Sequence, residues 1–360
     1  MAAEPFHKGN WAINLGMYRQ FGVNMEEMTE KIEQLTQHEF RVSEEQSGQR
    51  LDRFLSELIP DLSRSHVKRL IQENRVEVNG AAAKPSHETR TGESIRVILP
   101  EGPGSEESLR PTAMCLDILF EDEDLIVVNK PPGLVVHPGA GHTEGTLVHG
   151  LLAHGRLALQ GAPLRPGIVH RLDKDTSGAI VAAKSERAYL NLINQFKERR
   201  VKKEYLAMVY GSPKEREGEI SSLLGRHPTD RKKIAVLSGR GRQALSRWRV
   251  VKEWGEASLL SVRIETGRTH QIRVHLSHIG HPVIGDEPYG GGGRRAKNVK
   301  AGPVREALLA PTRQMLHAVR LEFDHPVTGA RVVAIAAPPE DFKELEGKLD
   351  LLCSSPGRQL

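Results

Sequence analysis

The first strong periodicity in the chain predicts two short helices. Four apolar side chains have the i, i+3, i+4, i+7 spacing of an amphipathic helix: Leu51, Phe54, Leu55 and Leu58. Pro60 would end this helix, and Ser63 is a residue type that caps the start of the next one. The apolar stripe of that second helix consists of Val67, Leu70 and Ile71. Its other face is basic, with Arg64 and Lys68 one turn apart and Arg69 beside them.

A strand pattern follows these helices. Val76 and Val78 alternate with polar residues up to the pair Asn79-Gly80, which is typical of a tight hairpin turn. A later strand is indicated by Ile95, Val97 and Leu99. The pattern therefore predicts two helices followed by a small sheet. The pattern alone favours reading the basic helix face as an ordinary solvated surface rather than as a contact surface.

The remainder of the chain predicts a larger α+β domain with a mixed, mainly antiparallel sheet. Residues 101–111 (EGPGSEESLRP) have the composition of a linker, and two short strands should flank the acidic turn 121–124. Further strands are predicted at 179–184, 203–210 and 258–265, and helices at 145–153, 186–198 and 269–279. Connections of the hairpin type, without regular βαβ alternation, favour antiparallel pairing.

These patterns predict four segments along the chain. They are a poorly ordered extension over residues 1–47, the small domain with its linker over 48–108, the larger domain over 109–345, and a tail over 346–360. Within the extension, residues 25–40 have the composition of a short amphipathic helix. We assign residues 1–24 no role.

Charge narrows the class of partner. The formal net charge of the whole chain is +5. Residues 1–47 carry eight acidic and four basic side chains, a net charge of −4, so residues 48–360 have a net charge of +9. A basic globular part makes a polyanion such as RNA a plausible partner, and because aromatic residues are only 4%, a folded nucleic acid is favoured over many stacked unpaired bases.

No apolar stretch is long enough to span a membrane, and two cysteines form no disulfide framework. We therefore expect a cytoplasmic protein.

The densest run of reactive side chains is GIVHRLDKDTSGAIVAAKS, residues 167–185. It reads as a loop between two apolar strands, held rigidly at a sheet end, with Gly178 allowing the chain to turn. Asp173 and Asp175 lie among cationic residues, which would keep a carboxylate ionised and suit a nucleophile or a base. The alternative is a polar turn whose aspartates bond to backbone amides.

A second run, ETGRTHQIRVHLSHIGHPVIGD, covers residues 265–286. Thr269 could cap a helix on which His270, Arg273 and Ser277 share one face, so Arg273 could point at a site or lie on the surface. Zinc is a competing idea because four histidines cluster here: His270, His275, His278 and His281. Their spacing scatters the rings around the helix, and the paired histidines of a zinc helix are absent, so we expect no metal site.

Several of these segments resemble known families. The run RLDRFLSELIPDLSRSHVKRLIQENRVEVNG resembles the S4 RNA-binding domain, over about residues 48–100. HRLDKDTSG at 170–178, KEYLAMVYG at 203–211 and TGRTHQIRVH at 266–275 resemble motifs of the RluA family of pseudouridine synthases, and the likeness extends from about residue 114 to residue 345. One departure is Ser246, which stands where that family usually has threonine. We expect this change to be distant from the acting motifs and to affect only local packing.

The resemblance implies an isomerase that converts uridine to pseudouridine in large-subunit ribosomal RNA without a cofactor or metal. It implies that Asp173 is the catalytic carboxylate, which could attack the ribose, attack the base ring or remove a ribose proton. Tyr205 would pack on the target base, and Arg273 would pair with Asp173. From the strand pattern alone, the alternative for Tyr205 is a half-buried core residue.

The resemblance also implies contacts with RNA. Arg171 would enter the helix vacated by the flipped nucleotide, and His170 and Arg268 would lie against the substrate. On the S4 domain the contacts would come from Arg64, Lys68 and Arg69. Two alternatives stay open: a factor that binds RNA without turnover, and a metal-dependent RNA hydrolase that uses the histidines. The sequence implies no particular oligomer.

Overall fold

A computed structural model describes residues 35–59, 64–84, 86–100, 109–139, 142–159, 165–230 and 233–353. The chain divides into two compact units, Met1–Ser108 and Leu109–Leu360. Within the described residues, no helix is both long and apolar enough to cross a membrane.

The N-terminal unit is a four-stranded sheet with two helices. Its elements are β1 (Leu35–Arg41), α1 (Leu51–Leu58), α2 (Arg64–Gln72), β2 (Val76–Val78), β3 (Ala81–Ala82) and β4 (Ser94–Pro100). The strand order is β1-β4-β2-β3, and every neighbouring pair is antiparallel. The predicted helices and strands are confirmed, because the apolar stripes of α1 and α2 meet the inner faces of β2 and β4 in one buried cluster. The proposed cap at Ser63 lies outside the described residues.

The hairpin between β2 and β3 uses the turn that the sequence indicates. Asn79 and Gly80 both have positive φ, at 51° and 77°. Two successive residues with positive φ make the turn whose twist matches a β-hairpin, and Val78 pairs with Ala81 across it.

The start of this unit corrects the proposed extension over residues 1–47. Leu35–Arg41 is a strand that pairs along its whole length with Ser94–Pro100, so the unit begins before residue 48. The predicted helix over 25–40 is wrong for residues 35–40, and its earlier part lies outside the described residues. This segment forms a strand although its spacing is helical, because β4 offers partners to the backbone groups on one side of β1 along its whole length.

The C-terminal unit contains ten strands and six helices among its described residues. Its first half comprises β5 (Ile118–Glu121), β6 (Leu125–Lys130), α3 (Leu147–His154), β7 (Ser177–Ala183), α4 (Glu186–Lys197) and β8 (Lys202–Tyr210). Then follow β9 (Glu217–Arg226), β10 (Ile234–Leu237), β11 (Arg242–Glu253), β12 (Ala257–Ile264) and α5 (Gln271–His278). The last elements are α6 (Gly293–Lys297), α7 (Pro303–Leu309), β13 (Leu316–Asp324), β14 (Arg331–Ile335) and α8 (Glu340–Cys353).

All ten strands form one sheet, in the order β10-β9-β11-β12-β8-β13-β7-β6-β5, with β14 paired to β13. Neighbouring strands are antiparallel except for β13 and β7, which are parallel. The α+β class and the mainly antiparallel sheet are therefore confirmed. The parallel pair joins strands β7, β6 and β5 to the rest of the sheet.

Alternation along β8 separates two faces of this sheet. Tyr205, Ala207 and Val209 belong to a core cluster that also contains apolar side chains of α3 and α5. Met208 and Tyr210 belong to another cluster, which includes buried residues of α8. Tyr205 and α5 therefore belong to one face of the sheet, and α8 covers the other.

The proposed tail over residues 346–360 is corrected by α8. This helix continues to Cys353, and Leu349 is fully buried with Phe342 in the core. Residues 346–353 are thus part of the domain because an apolar side chain in this stretch packs inward.

Candidate active site

The loop that carries Asp173 is fixed by two buried cations. The amide of Thr176 donates to the carbonyl of Asp173 over 3.1 Å and closes a turn. Lys130 donates to the carbonyl of Lys174 over 2.9 Å, and Arg313 donates to the carbonyl of Asp175 over 3.0 Å. Two consecutive carbonyls are thus held from the sheet side, which fixes the backbone next to the Asp173 carboxylate.

Lys130 is fully buried at the end of β6. Its ammonium group has three carbonyl acceptors, from Pro131, Leu134 and Lys174, at 2.8–2.9 Å. Burial lowers the pKa of Lys130 to about 7, while the negative charges of Asp175 and Asp173 act in the opposite direction. Lys130 is therefore a backbone anchor rather than a solvent-facing charge.

Gly178 has a different role from the one that the sequence predicts. It lies inside β7 and does not turn the chain. Its φ is +119°, and a Cβ atom there would lie only 2.3 Å from the carbonyl oxygen of Ala318 on β13. The glycine therefore permits the close approach of β7 and β13 directly after the Asp173 loop.

We expect Gly178→Ala to lower the stability of the protein to denaturant, by about 1–3 kcal/mol, because the added carbon meets backbone that cannot move independently. The control is Gly347→Ala on α8, where a Cβ meets nothing within 4 Å and alanine should stabilise the helix by up to about 1 kcal/mol. Urea unfolding midpoints measure both changes. A midpoint for Gly178→Ala that stayed level or rose would show that the approach of β7 and β13 at Gly178 is not tight.

Arg273 and Asp173 are brought together as the sequence predicts. Nη1 of Arg273 lies 3.0 Å from Oδ2 of Asp173. On its other edge, Nε and Nη2 bind both oxygens of the fully buried Asp286, at 2.7 and 2.8 Å. Burial by itself would lower the pKa of Arg273, but the hydrogen bonds and charges of Asp286 and Asp173 outweigh it and raise that pKa. Arg273 is therefore a fixed positive charge between two carboxylates.

Tyr205 lies in the same pocket as Asp173. Its side chain is almost fully buried on β8, and burial together with the negative charge of Asp173 raises the pKa of the phenol. The hydroxyl therefore stays protonated near neutral pH. A neutral aromatic ring in this pocket can support a flat base but is a weak proton acceptor.

The pocket lies between the Asp173 loop, β8 and the start of α5, and it is partly open to solvent. Its polar and charged wall consists of Arg171, Asp173, Thr176, Tyr205, Arg268, Thr269, His270, Gln271 and Arg273, and its apolar wall includes Leu172, Ile264, Ile272 and Leu316.

The predicted RNA-contact residues fall into two groups. Arg171 is exposed at the pocket, and Arg268 lines the pocket while donating to the carbonyl of Gln243. His170 is not brought to the pocket, which corrects the expectation. Its ring stacks on Phe196 with centroids 4.7 Å apart, and Nε2 accepts the amide hydrogen of Val181. Burial, and then the charge of Lys203, lowers the pKa of His170 to about 3, so this half-buried ring is neutral.

In the N-terminal unit, Lys68 and Arg69 are both exposed on α2. Lys68 Nζ lies 3.5 Å from the buried carboxylate of Asp52, and Arg69 Nε lies 3.7 Å from Glu73. The side chain of Arg64 lies outside the described residues. Acidic neighbours thus offset part of the positive charge on this helix face.

The start of α5 differs from the prediction. The helix begins at Gln271, and the residue before it is His270, with a left-handed backbone (φ 54°, ψ 20°), so Thr269 is not the cap. Gln271 takes over the anchoring: its side chain bonds to Thr266, Arg268, Leu245 and Ser246.

Ser246 is closer to the site than expected. It is buried, and its hydroxyl lies 3.0 Å from Nε2 of Gln271 and 2.9 Å from Nδ1 of His275. Both partners are on the helix that carries Arg273. The expectation that Ser246 is distant from the acting motifs is therefore wrong, because β11 pairs with β12 directly beneath the start of α5.

The clustered histidines bond to different parts of the protein and do not converge on one point. His275 bonds to Ser222 and Ser246, and His281 bonds to the carbonyl of Tyr210. Across the described residues, one group has ligand atoms close enough together for a metal ion: Asp122, Asp124 and His325.

That group is already satisfied by the protein. Nε2 of His325 lies 2.7 Å from Asp122, while Nδ1 accepts two backbone amide hydrogens. Asp124 binds Ser185 and Arg187. The cluster therefore ties loops together and offers no free donor set.

Two parts of the chain match known protein families. Residues 124–278 match the RNA pseudouridylate synthase family, and residues 49–95 match the S4 domain. The chain belongs to the RNA pseudouridine synthases, which are isomerases, and it carries an S4 domain at its N-terminal end.

Individual relatives agree with this class. The chain is 44% identical to an uncharacterised RNA pseudouridine synthase of Synechocystis sp., over 84% of this chain and 90% of the relative. It is 41% identical to ribosomal large subunit pseudouridine synthase D of Pasteurella multocida, over 83% and 91%. Among solved structures, human RNA pseudouridylate synthase domain containing 4 matches with 24% identity and a TM-score of 0.48, over 64% of this chain and 92% of that one.

Proposed function

We propose that the protein isomerises specific uridines to pseudouridine in large-subunit ribosomal RNA, with the chemistry centred on Asp173. Support for the substrate comes from the relative of Pasteurella multocida, which is named for the large ribosomal subunit, and from the S4 domain and the basic charge of this chain. Such a substrate places the enzyme in the cytoplasm, with the assembling ribosome. The reaction needs no cofactor.

One observation carries the chemical part of the proposal. Oδ2 of Asp173 lies 3.0 Å from Nη1 of Arg273, in a pocket that is also lined by Tyr205. A guanidinium that stays charged orients the carboxylate through this contact, which is what a nucleophile or base requires. Three steps remain open to this carboxylate: attack on the anomeric carbon, attack on the base ring, and removal of a ribose proton.

Tyr205 would support the target base while it is detached and rotated. Its ring lies on β8 next to the Asp173 carboxylate, and its raised pKa keeps the phenol neutral. A neutral aromatic ring offers a flat apolar surface to a flat base without competing for the positive charge of Arg273.

Arg171 would act on the RNA rather than on the base. Arg171 is exposed at the pocket, two residues before Asp173. In the part of the chain that the structure describes, no acidic side chain forms an ion pair with it. Removing a uridine from its helix costs a few kcal/mol, and a planar guanidinium that enters the gap can recover part of it by stacking.

Two other functions would give different products. A metal-dependent hydrolase would shorten the RNA, and a binding factor would leave every uridine unchanged. Incubating the purified protein with ribosomal RNA labelled with tritium at carbon 5 of uridine separates the three. We expect tritium release with no change in RNA length, and intact RNA without release would contradict the proposal.

The exposed cations of α2 provide a separate test of RNA binding. Replacing Lys68 and Arg69 together by alanine should reduce the slope of log affinity against log salt concentration by up to about two, because each lost phosphate contact removes about one unit. Turnover on saturating RNA should be unchanged. The matched control is Lys348→Ala, an exposed lysine on α8. An unaltered slope in the double variant would show that this helix face does not contact phosphate.

A further inference from the structure

His270 lies in the pocket wall and faces the Asp173 carboxylate. It belongs to the segment TGRTHQIRVH, but the family resemblance gives it no chemical role. Nε2 of His270 lies 3.9 Å from Oδ2 of Asp173, which is beyond hydrogen-bond distance. The side chain is one-quarter exposed and lines the pocket. Nε2 therefore has room for a partner that enters the pocket.

The ring of His270 is held from behind by Tyr289. Nδ1 of His270 lies 2.7 Å from the hydroxyl oxygen of Tyr289, and this oxygen accepts the amide hydrogen of Ile234 over 3.0 Å. A tyrosine hydroxyl has a single proton to donate. Among the described residues, His270 Nδ1 is its acceptor, so we assign the imidazole proton to Nε2, on the side of the pocket.

The charge of the ring supports this assignment. Burial lowers the pKa of His270, although the negative charge of Asp173 acts against this effect. The imidazole is therefore neutral near pH 7, with one N–H, and that N–H faces the pocket. As a neutral donor it does not compete with Arg273 for Asp173.

The backbone of His270 gives an independent reason to expect a function. Its φ of 54° and ψ of 20° are in the left-handed region, although it is not a glycine. This conformation costs on the order of 1 kcal/mol or more for such a residue, and it concentrates at functional sites when the surroundings enforce it. Here the strain places the ring at the edge of the pocket, immediately before α5.

We propose that His270 is a further catalytic residue, whose Nε2–H donates a hydrogen bond to a carbonyl oxygen of the target uracil as the base leaves the ribose. When the bond between N1 and the anomeric carbon breaks, its electron pair stays with the uracil ring and is shared by N1 and the ring carbonyl oxygens. A hydrogen bond from a fixed donor to such an oxygen is stronger in the transition state than in the ground state, because negative charge develops on the oxygen. His270 keeps its proton throughout, so the step needs no proton acceptor.

This role rests on the proposed function, because the leaving group is the uracil of an RNA uridine. It adds a partner for a carbonyl oxygen of the base, whereas Asp173 acts on the ribose or on a ring carbon and Arg273 orients Asp173. Tyr289 is a positioning residue in this scheme. Its ring also lies beneath the guanidinium of Arg273, 4.9 Å from ring centroid to Cζ, so only its hydroxyl is specific to His270.

The test uses single-turnover kinetics with saturating full-length enzyme and ribosomal RNA transcripts that contain either uridine or 5-fluorouridine. Disappearance of the nucleoside is followed by chromatography after digestion. His270→Ala should slow conversion of uridine by about a hundredfold or more, the usual loss for one preorganised donor. The loss should be several times smaller with 5-fluorouridine, because fluorine makes the ring a better leaving group that depends less on the donor.

Companion variants separate donation from structure. His270→Gln should recover part of the rate through its amide N–H, and Tyr289→Phe should give a smaller loss because the ring under Arg273 is kept. His278→Ala changes an exposed histidine at the end of the same helix and should have no effect. RNA affinity should be unchanged in all four variants.

Each other result has a defined meaning. Equal losses on the two RNAs, a loss confined to affinity, or no loss in His270→Ala would overturn the role of His270 while leaving the proposed function intact. A wild-type enzyme inactive on both RNAs would contradict the proposed substrate and this role with it.

Discussion

Asp173→Asn should abolish the release of tritium from RNA labelled at carbon 5 of uridine, while leaving RNA affinity nearly unchanged. The amide keeps the shape of the side chain and can still meet Nη1 of Arg273 through its oxygen. It removes the negative charge that attack or proton removal requires, so the rate should fall by at least about a hundredfold. Stopped-time tritium release and filter binding measure the two quantities.

Asp175→Asn is the matched control for this variant. Asp175 lies on the same loop, but its side chain does not line the pocket, and it is its backbone carbonyl that Arg313 holds. The substitution should therefore have a mild effect on the rate. If the two variants exchanged phenotypes, the catalytic carboxylate would be Asp175.

Arg273→Met should lower turnover by about a hundredfold to a thousandfold, with little change in RNA affinity, because it removes the fixed charge that orients Asp173. Arg273→Lys should recover part of the rate, since it restores the charge without the planar fork. Single-turnover kinetics at saturating enzyme separate the chemical step from binding. A loss confined to affinity would assign Arg273 to RNA-backbone contact.

Arg273→Met also strands the buried carboxylate of Asp286, which should destabilise the protein by about 3–5 kcal/mol. Adding Asp286→Asn removes this stranded charge. The double variant should therefore regain much of the lost stability without regaining turnover. Recovery of both would mean that Arg273 acts only through the stability of the fold.

The elements that the sequence predicts well are those with strong local patterns. The stripes on α1 and α2, the Asn79-Gly80 turn and the apolar run of β8 each determine their own conformation. The sequence does not indicate strands β9 to β11 and β14, although each pairs with a strand adjacent to it in the chain. It also misses β13 and α8, whose partners in the sheet and the core lie far away in the chain. Leu35–Arg41 shows the same limit, because a distant strand decides its conformation.

The site divides in a similar way. Family resemblance singles out Asp173, Tyr205 and Arg273, and the structure places all three in one pocket. His170 looks equivalent to its neighbour Arg171 in the sequence, but its ring stacks on Phe196 and does not line the pocket. Asp286 is the only acidic residue between 266 and 286, which is a signal for a partner of the buried arginine.

Tyr289 and Arg313 carry no comparable signal. Each acts through a contact that only the folded chain creates, Tyr289 with His270 and Arg313 with the carbonyl of Asp175. Neither residue lies in a segment with reactive side chains. Their positions follow from the sheet order, which no local pattern specifies.

Chemical mapping of pseudouridine in large-subunit ribosomal RNA, from cells with and without this gene, tests the central claim most directly. We expect one or more sites to be lost with the gene, to return with the wild-type chain, and to stay absent with Asp173→Asn. A large-subunit pseudouridine map that is identical with and without the gene would contradict the proposed substrate.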